Sequence, residues 1–146
     1  MHDTLSGALF EAQTKGISGR LLESRGWKLW KLEYPTLEIS FFAEGRTELR
    51  LLFRCDGWNE LPPSVELYGA DGLRLTSLQG RGLPNQFHNG PHNVTKLPFI
   101  CMAGTREYHR HESHVRDLWE NYKNKSKYTL DGILFQVWDA WTKGTG

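Results

Sequence analysis

Cys101 ends an apolar run, Phe99-Ile100-Cys101, and stands eight positions after Asn93 (93 + 8 = 101). A thiolate is both a strong nucleophile and a good leaving group, so this residue type suits transfer of an acyl group between carriers. The side-chain amide of Asn93 is a candidate donor to the oxyanion that forms in such a transfer. Two simpler interpretations remain open: Cys101 as a small buried core residue, and Asn93 as a turn residue.

Histidines flank this segment on both sides. His92 precedes Asn93, and we expect it to order the loop by a hydrogen bond more than to act as a base. His109 and His111 follow Cys101 and are candidates for proton transfer, since imidazole exchanges protons near neutral pH. Together with His114 they form a cluster, but zinc ligands normally come as separated pairs with cysteine or carboxylate partners. We therefore expect no metal.

Length and composition narrow the function classes. The 146 residues predict a single domain over residues 1–146, and the formal charge of +1 disfavours a nucleic-acid partner. Apolar stretches are too short for a membrane span, and the N-terminus lacks the pattern of a signal peptide, so we expect a cytoplasmic protein. Of the two cysteines, Cys55 lies in a strand-like run and is expected to be inert. No ATP-binding loop is visible, and we expect no cofactor.

The hydrophobic pattern predicts an α+β fold. An N-terminal helix capped by Asp3 is followed by four strands of an antiparallel meander, because apolar residues alternate and turn residues separate the runs. The predicted strands are Trp27–Glu33, Leu37–Ala43, Glu48–Arg54 and Ser64–Tyr68. Residues 69–98 are rich in Gly, Pro and Asn and predict a long loop, and loops of that length are usually functional or mobile. Two helices, His111–Tyr122 and Thr129–Trp141, and a frayed tail at 143–146 complete the prediction.

These elements and motifs resemble the ubiquitin-conjugating-enzyme (UBC) fold over roughly residues 27–141. The segment Pro62-Pro63-Ser64-Val65-Glu66-Leu67 is similar to the Pro-Pro-x-Val-x-Phe signature of that family. Pro91-His92-Asn93 resembles its His-Pro-Asn motif with the first two residues exchanged, and Cys101 keeps the family's spacing from the Asn. Tyr128-Thr129-Leu130 resembles the start of a family helix.

Two departures point to bacterial relatives of that family. The His and Pro of the motif are exchanged, and His109 and His111 occupy the region where the core family has a Trp. Among those relatives, the short chain is most similar to the stand-alone conjugating enzymes of short type II CBASS anti-phage operons. The resemblance implies that Cys101 holds the C-terminal glycine of a protein partner as a thioester. It also implies that the partner is a cGAS-like nucleotidyltransferase, with Asn93 as the oxyanion donor and His92 ordering the loop.

Other functions remain open at the level of sequence. The cargo is a bacterial ubiquitin-like protein in the nearest alternative, whereas a cysteine hydrolase would pair Cys101 with His92 or His109. A catalytically silent UBC-like binding module would use Cys101 only for packing. The docking surface is expected either on the exposed aromatic residues of the Trp138–Trp141 helix or on the loop before Cys101.

Overall fold

The computed structural model describes residues 2–146, and over these residues the fold is α+β with four α-helices and a four-stranded antiparallel sheet. The helices are α1 Asp3–Thr14, α2 Gly19–Arg25, α3 Arg106–Arg110 and α4 Leu130–Thr142. The strands are β1 Trp27–Glu33, β2 Thr36–Phe41, β3 Leu49–Arg54, β4 Ser64–Tyr68, β5 Phe87–His88 and β6 Phe99–Ile100. Two 3₁₀ turns, Trp119–Asn121 and Ser126–Tyr128, lie between α3 and α4.

The sheet has the order β1-β2-β3-β4, so the predicted meander is confirmed. Alternation places one set of side chains inward, and the row formed by Ile39, Leu51 and Leu67 is paired in register and fully buried. The other face is polar: the guanidinium of Arg50 pairs with Glu38 and that of Arg54 with Glu66. Burial of one face is what fixes the register, because a slip of one residue would turn every apolar side chain to solvent.

Helix α4 covers the buried face of the sheet with the apolar stripe that its sequence predicts. Its buried residues include Leu130, Ile133, Leu134, Val137 and Trp141. Trp141 contacts Phe41 at 5.5 Å between ring centroids and is only 1% exposed. Trp138 is partly buried under the guanidinium of Arg25, 4.9 Å from the ring centroid. Trp141 is therefore a core residue, whereas Trp138 keeps part of its ring exposed, and the docking role expected for this helix stays a prediction.

Both ends of the described chain differ from the prediction. The N-cap of α1 is His2, whose Nδ1 accepts a hydrogen bond from the Thr4 N–H, so the predicted cap Asp3 is instead the first residue of the helix. At the other end, Thr145 N–H donates to the Gly82 carbonyl at 2.8 Å, and the Gly146 carbonyl accepts from Thr47 N–H at 2.6 Å. The tail is thus hydrogen-bonded to two loops, and the expectation of fraying is wrong.

The predicted helix His111–Tyr122 is also wrong. Residues 111–118 form turns, and only the short α3 before them and a 3₁₀ turn after them are helical. Val115 and Leu118 are each 51% exposed, so the helical spacing of apolar residues does not mark a buried stripe. Polar side chains instead bond to nearby backbone, as where Ser113 N–H donates to His111 Nδ1, and such local bonds compete with a helix.

Among the described residues, no helix combines the length and the apolar character that a membrane crossing requires.

Candidate active site

Cys101 lies one residue beyond β6, at the end of the long loop. Its backbone N–H donates to the Gln86 carbonyl at 2.7 Å, which ties the residue to the segment before β5. The side chain is partly exposed, and the thiol is free. Burial raises the pKa of Cys101, so the resting group is the neutral thiol. Reaction therefore needs a group that removes the proton as the sulfur attacks.

The nitrogen placed to do this belongs to His114. Its Nε2 lies 3.5 Å from Cys101 Sγ, within hydrogen-bonding distance for sulfur. No other ring nitrogen of the described residues makes a hydrogen bond with this sulfur. Sequence reasoning grouped His114 with the neighbouring histidines but named only His109 and His111 for proton transfer. The contact depends on a turn at 111–118, whereas the sequence pattern predicted a helix there.

A series of tight turns carries His114 to the thiol. Its backbone N–H donates to the His111 carbonyl at 2.8 Å, and its carbonyl accepts from Asp117 N–H at 2.9 Å. The ring then stacks on Tyr108 of α3, with centroids 4.2 Å apart and planes at 15°. The Tyr108 ring thus covers one face of the His114 imidazole, and the edge of the imidazole presents Nε2 to Cys101 Sγ.

A carboxylate lies behind this stack. Asp117 Oδ2 accepts hydrogen bonds from the hydroxyls of Tyr108, at 2.6 Å, and Tyr122, at 2.7 Å. These bonds stabilise the charged carboxylate and hold the pKa of Asp117 below its usual value. The same bonds raise the pKa of both phenols, that of Tyr122 to about 12. Both tyrosines therefore remain neutral donors across the physiological range.

Both ring nitrogens of His109 are hydrogen-bonded to backbone groups. Gly104 N–H donates to Nε2 at 3.0 Å, and Nδ1–H donates to the Asp117 carbonyl at 2.7 Å. Burial lowers the pKa of His109, which matches the neutral tautomer that these two bonds require. The structure therefore places this predicted proton-transfer residue as a brace between the residues after Cys101 and the turn that bears His114.

His111, the second predicted proton-transfer residue, makes no hydrogen bond with the thiol among the described residues. Its ring stacks on Phe99, with centroids 5.4 Å apart and planes at 21°, and it packs edge-on against His92. Its Nδ1 accepts from Ser113 N–H at 3.2 Å. Burial lowers the pKa of His111. The ring borders His114 at 5.9 Å and helps to enclose that imidazole.

His92 is buried and orders the loop, the role that sequence reasoning favoured for it. Its Nδ1 accepts from Val94 N–H at 3.0 Å and from Thr95 N–H at 3.3 Å. Nε2 is then the protonated nitrogen and donates to the Glu107 carbonyl at 2.7 Å. The side chain is 1% exposed. All of its hydrogen-bonding capacity is used to connect the loop to α3.

Asn93 connects the same loop to the turn that bears His114. Its Oδ1 accepts from Glu112 N–H at 3.2 Å, and its backbone carbonyl accepts from the Lys96 ammonium at 2.6 Å. The amide nitrogen Nδ2 has no acceptor among residues 2–146 and is free to donate. A free N–H₂ group is what an oxyanion donor needs, and among the described residues no hydrogen bond joins Asn93 to Cys101. The Lys96 ammonium is thus engaged by the backbone of its own loop.

The second cysteine plays no part in this site. Cys55 is 1% exposed, and burial strongly raises its pKa, so it remains an inert thiol. Across the described chain, no group of three or more His, Cys, Asp or Glu side chains is arranged to hold a metal ion.

No protein-family model and no curated protein matches this chain.

Proposed function

We propose that the chain is a cysteine-dependent acyl-transfer enzyme of the ubiquitin-conjugating kind. Cys101 would carry the C-terminal glycine of a protein partner as a thioester and pass it to an amine. The observation that carries the proposal is the 3.5 Å approach of His114 Nε2 to a partly exposed Cys101 Sγ. A nucleophile paired with a proton acceptor is the minimal device for this chemistry.

In the loading step, His114 Nε2 takes the proton from Cys101 as Sγ attacks the carbonyl carbon of an activated glycine. The activated donor is a thioester, supplied either by another protein or by a cargo that is already activated. A carbon–sulfur bond forms to Cys101, and the carbon–sulfur bond of the donor breaks. The proton held by His114 goes to the departing thiolate, so the imidazole returns to its neutral form.

In the discharge step, the amine of an acceptor attacks the thioester carbonyl. A carbon–nitrogen bond forms, the bond to Cys101 breaks, and Sγ departs as a thiolate. His114 takes a proton from the nitrogen and returns one to the sulfur, which restores the starting state. Imidazole suits both transfers because its ordinary pKa lies near neutral pH.

Asn93 is the candidate donor to the oxyanion of both steps. Its Oδ1 is fixed by Glu112 N–H, which leaves Nδ2 available for a developing negative charge. Donors of this kind contribute about 2.7–4 kcal/mol to transition-state stabilisation where single ones have been removed. His92 supports this role indirectly by holding the loop that carries Asn93.

The UBC-like identity belongs to this proposal and is supported by the order of the elements. An N-terminal helix, a four-stranded meander, a long loop ending at Cys101 and a covering helix follow one another as the resemblance implies. The cargo we propose is a cGAS-like nucleotidyltransferase of a bacterial anti-phage operon, in the cytoplasm. That choice rests on the sequence resemblance to short type II CBASS conjugating enzymes. A bacterial ubiquitin-like protein is the alternative cargo.

The test is intact mass spectrometry after co-expression with the products of the neighbouring genes. We would compare wild type, Cys101→Ser and Cys101→Ala, each with and without reductant. We expect a reductant-labile adduct on wild type, a reductant-stable oxyester on the Ser variant and no adduct on the Ala variant. The mass of the adduct identifies the cargo. If no form carries an adduct and the partner still co-purifies, the chain is a UBC-like binding module and the proposal fails.

A further inference from the structure

We infer that Tyr108 is a positioning residue that holds the His114 imidazole against Cys101, with Asp117 as its anchor. The inference rests on the proposed function, since it concerns the residue that we assign as the proton acceptor. Tyr108 makes no hydrogen bond with the Cys101 sulfur, since its hydroxyl donates to Asp117. Its effect on Cys101 would pass through His114.

The imidazole needs such a support, because its own segment provides little rigidity. His114 lies among turns, and its Nδ1 makes no hydrogen bond with any residue from 2 to 146. Apart from the contact with Sγ, the ring is held by the stack on Tyr108 and by a tilted contact with His111 at 5.9 Å. A stack at 4.2 Å with planes at 15° fixes the plane in which Nε2 can point.

The hydroxyl of Tyr108 connects the stacked rings to Asp117. It donates to Oδ2 of Asp117 at 2.6 Å, and the Asp117 backbone N–H donates to the His114 carbonyl at 2.9 Å. One side chain of α3 therefore contacts both ends of the turn 114–117. Phenylalanine at this position would keep the stack but lose the link to Asp117, whereas leucine would lose both.

One carboxylate lies among the titratable groups that surround the imidazole. The titratable groups that face or border His114 are Cys101, Tyr108, His109, His111 and Asp117. At neutral pH, with Cys101 present as a thiol, Asp117 is the only anion in this group. The hydrogen bonds from Tyr108 and Tyr122 stabilise its carboxylate.

The test is the pH dependence of Cys101 alkylation by iodoacetamide, measured on the Cys101 peptide by mass spectrometry so that Cys55 does not contribute. We would compare wild type, Tyr108→Leu, Tyr108→Phe and His114→Gln. Tyr122→Phe is the matched control, because it removes an equivalent bond to Asp117 Oδ2 without touching the stack. Circular dichroism and thermal unfolding report whether each variant folds.

Tyr108→Leu should lower the rate at pH 7 about tenfold, a part of the 10²–10⁴-fold effect of a positioned general base. Its profile should shift to higher pH, toward that of His114→Gln. Tyr108→Phe should lie between wild type and Tyr108→Leu, and Tyr122→Phe should match wild type. Tyr108→Phe also keeps the test decisive if the leucine variant does not fold.

Wild-type profiles for both Tyr108 variants would overturn the inference, provided that His114→Gln moves the profile. An equal shift for Tyr122→Phe and Tyr108→Phe would also overturn it, since the effect would then be structural. If His114→Gln itself leaves the profile unchanged, the general-base step fails and the inference fails with it. Thioester formation on Cys101 remains a separate measurement, made by intact mass, so the two failures are distinguishable.

Discussion

In the sheet, Ile39, Leu51 and Leu67 form a fully buried row, and the neighbouring polar residues face solvent. In the segment from Cys101 to Tyr122, the apolar residues Val115 and Leu118 are half exposed, and the chain turns where hydrogen bonds from side chains direct it. The sheet depends on the sum of many apolar contacts. The segment around the active site depends on a few individual polar bonds.

This difference predicts two kinds of response to mutation. Loss of one apolar side chain in the sheet should weaken the whole fold without a specific effect on Cys101. Loss of one histidine near Cys101 should cost less stability but should move particular loop residues. The four changes below test that division, from the largest expected effect to the smallest.

Phe53→Ala should give the largest loss. Phe53 is fully buried in β3, and truncation of a buried Phe to Ala lowers the free energy of unfolding by about 3–5 kcal/mol. Phe42→Ala is a matched control, since Phe42 is 41% exposed and its truncation should cost far less. Urea unfolding followed by circular dichroism measures both. Equal losses for the two variants would contradict the burial assigned to β3.

His92→Ala should cost about 2–3 kcal/mol, because it leaves the Val94 and Thr95 N–H groups and the Glu107 carbonyl without their partner. The amides of Val94 and Thr95 should lose protection in hydrogen exchange while those of β2 and β3 remain protected. His88→Ala is the control, since His88 is exposed. Uniform loss of protection over the sheet as well would show that His92 belongs to the global core.

His109→Gln should reduce the pH dependence of stability. Burial lowers the pKa of His109 in the folded state below the ordinary value of about 6.5. The unfolded chain therefore binds a proton more readily, and stability falls as pH drops through about 6.5 toward the lowered folded pKa. The variant lacks this titration but should lose about 1–2 kcal/mol at pH 8 from unpaired backbone groups. Urea unfolding at pH 8 and pH 5.5 measures the free energy of unfolding of wild type and variant. The same change between the two pH values in both proteins would contradict the buried, neutral His109 that bridges Gly104 and Asp117.

Val115→Ala should change stability by less than about 0.5 kcal/mol, because the side chain is 51% exposed. Val137→Ala is the matched control: Val137 is fully buried in α4, and its truncation should cost about 2 kcal/mol. Thermal unfolding compares the two directly. Similar losses would mean that residues 111–122 present a buried face after all, as the sequence pattern predicted.

Sequence reasoning was accurate where burial alone decides the structure. The bounds of β1 and β4 were predicted as observed, and the stripe of α4 was identified from its spacing. The same spacing predicted a helix at His111–Tyr122 that does not form, because the apolar side chains of Val115 and Leu118 are half exposed and do not pack against the core. Periodicity records which residues share a face and does not record whether that face is buried.

The candidate site was predicted only in part, for a related reason. Cys101, Asn93 and His92 were selected by type and spacing. In the structure the His92 side chain is bonded to Glu107 of α3, and the Asn93 side chain is bonded to Glu112 in the turn that follows. His114 was missed as the residue at the thiol, since its place depends on the turn that His109 braces through the Asp117 carbonyl. A hydrogen bond between a side chain and a distant backbone group leaves no periodic signal in a sequence. Tyr108 and Asp117 were missed for the same reason.

The central claim is that Cys101 passes an acyl group to an amine while His114 takes the proton. The most direct measurement is discharge of the isolated Cys101 adduct, with and without free lysine, followed by intact mass spectrometry for wild type and His114→Gln. We predict that lysine accelerates loss of the wild-type adduct, yields a lysine-bearing product and does so much more slowly in the variant. Loss at the same rate in buffer alone, with only the free carboxylate as product, would contradict the account and identify a cysteine hydrolase.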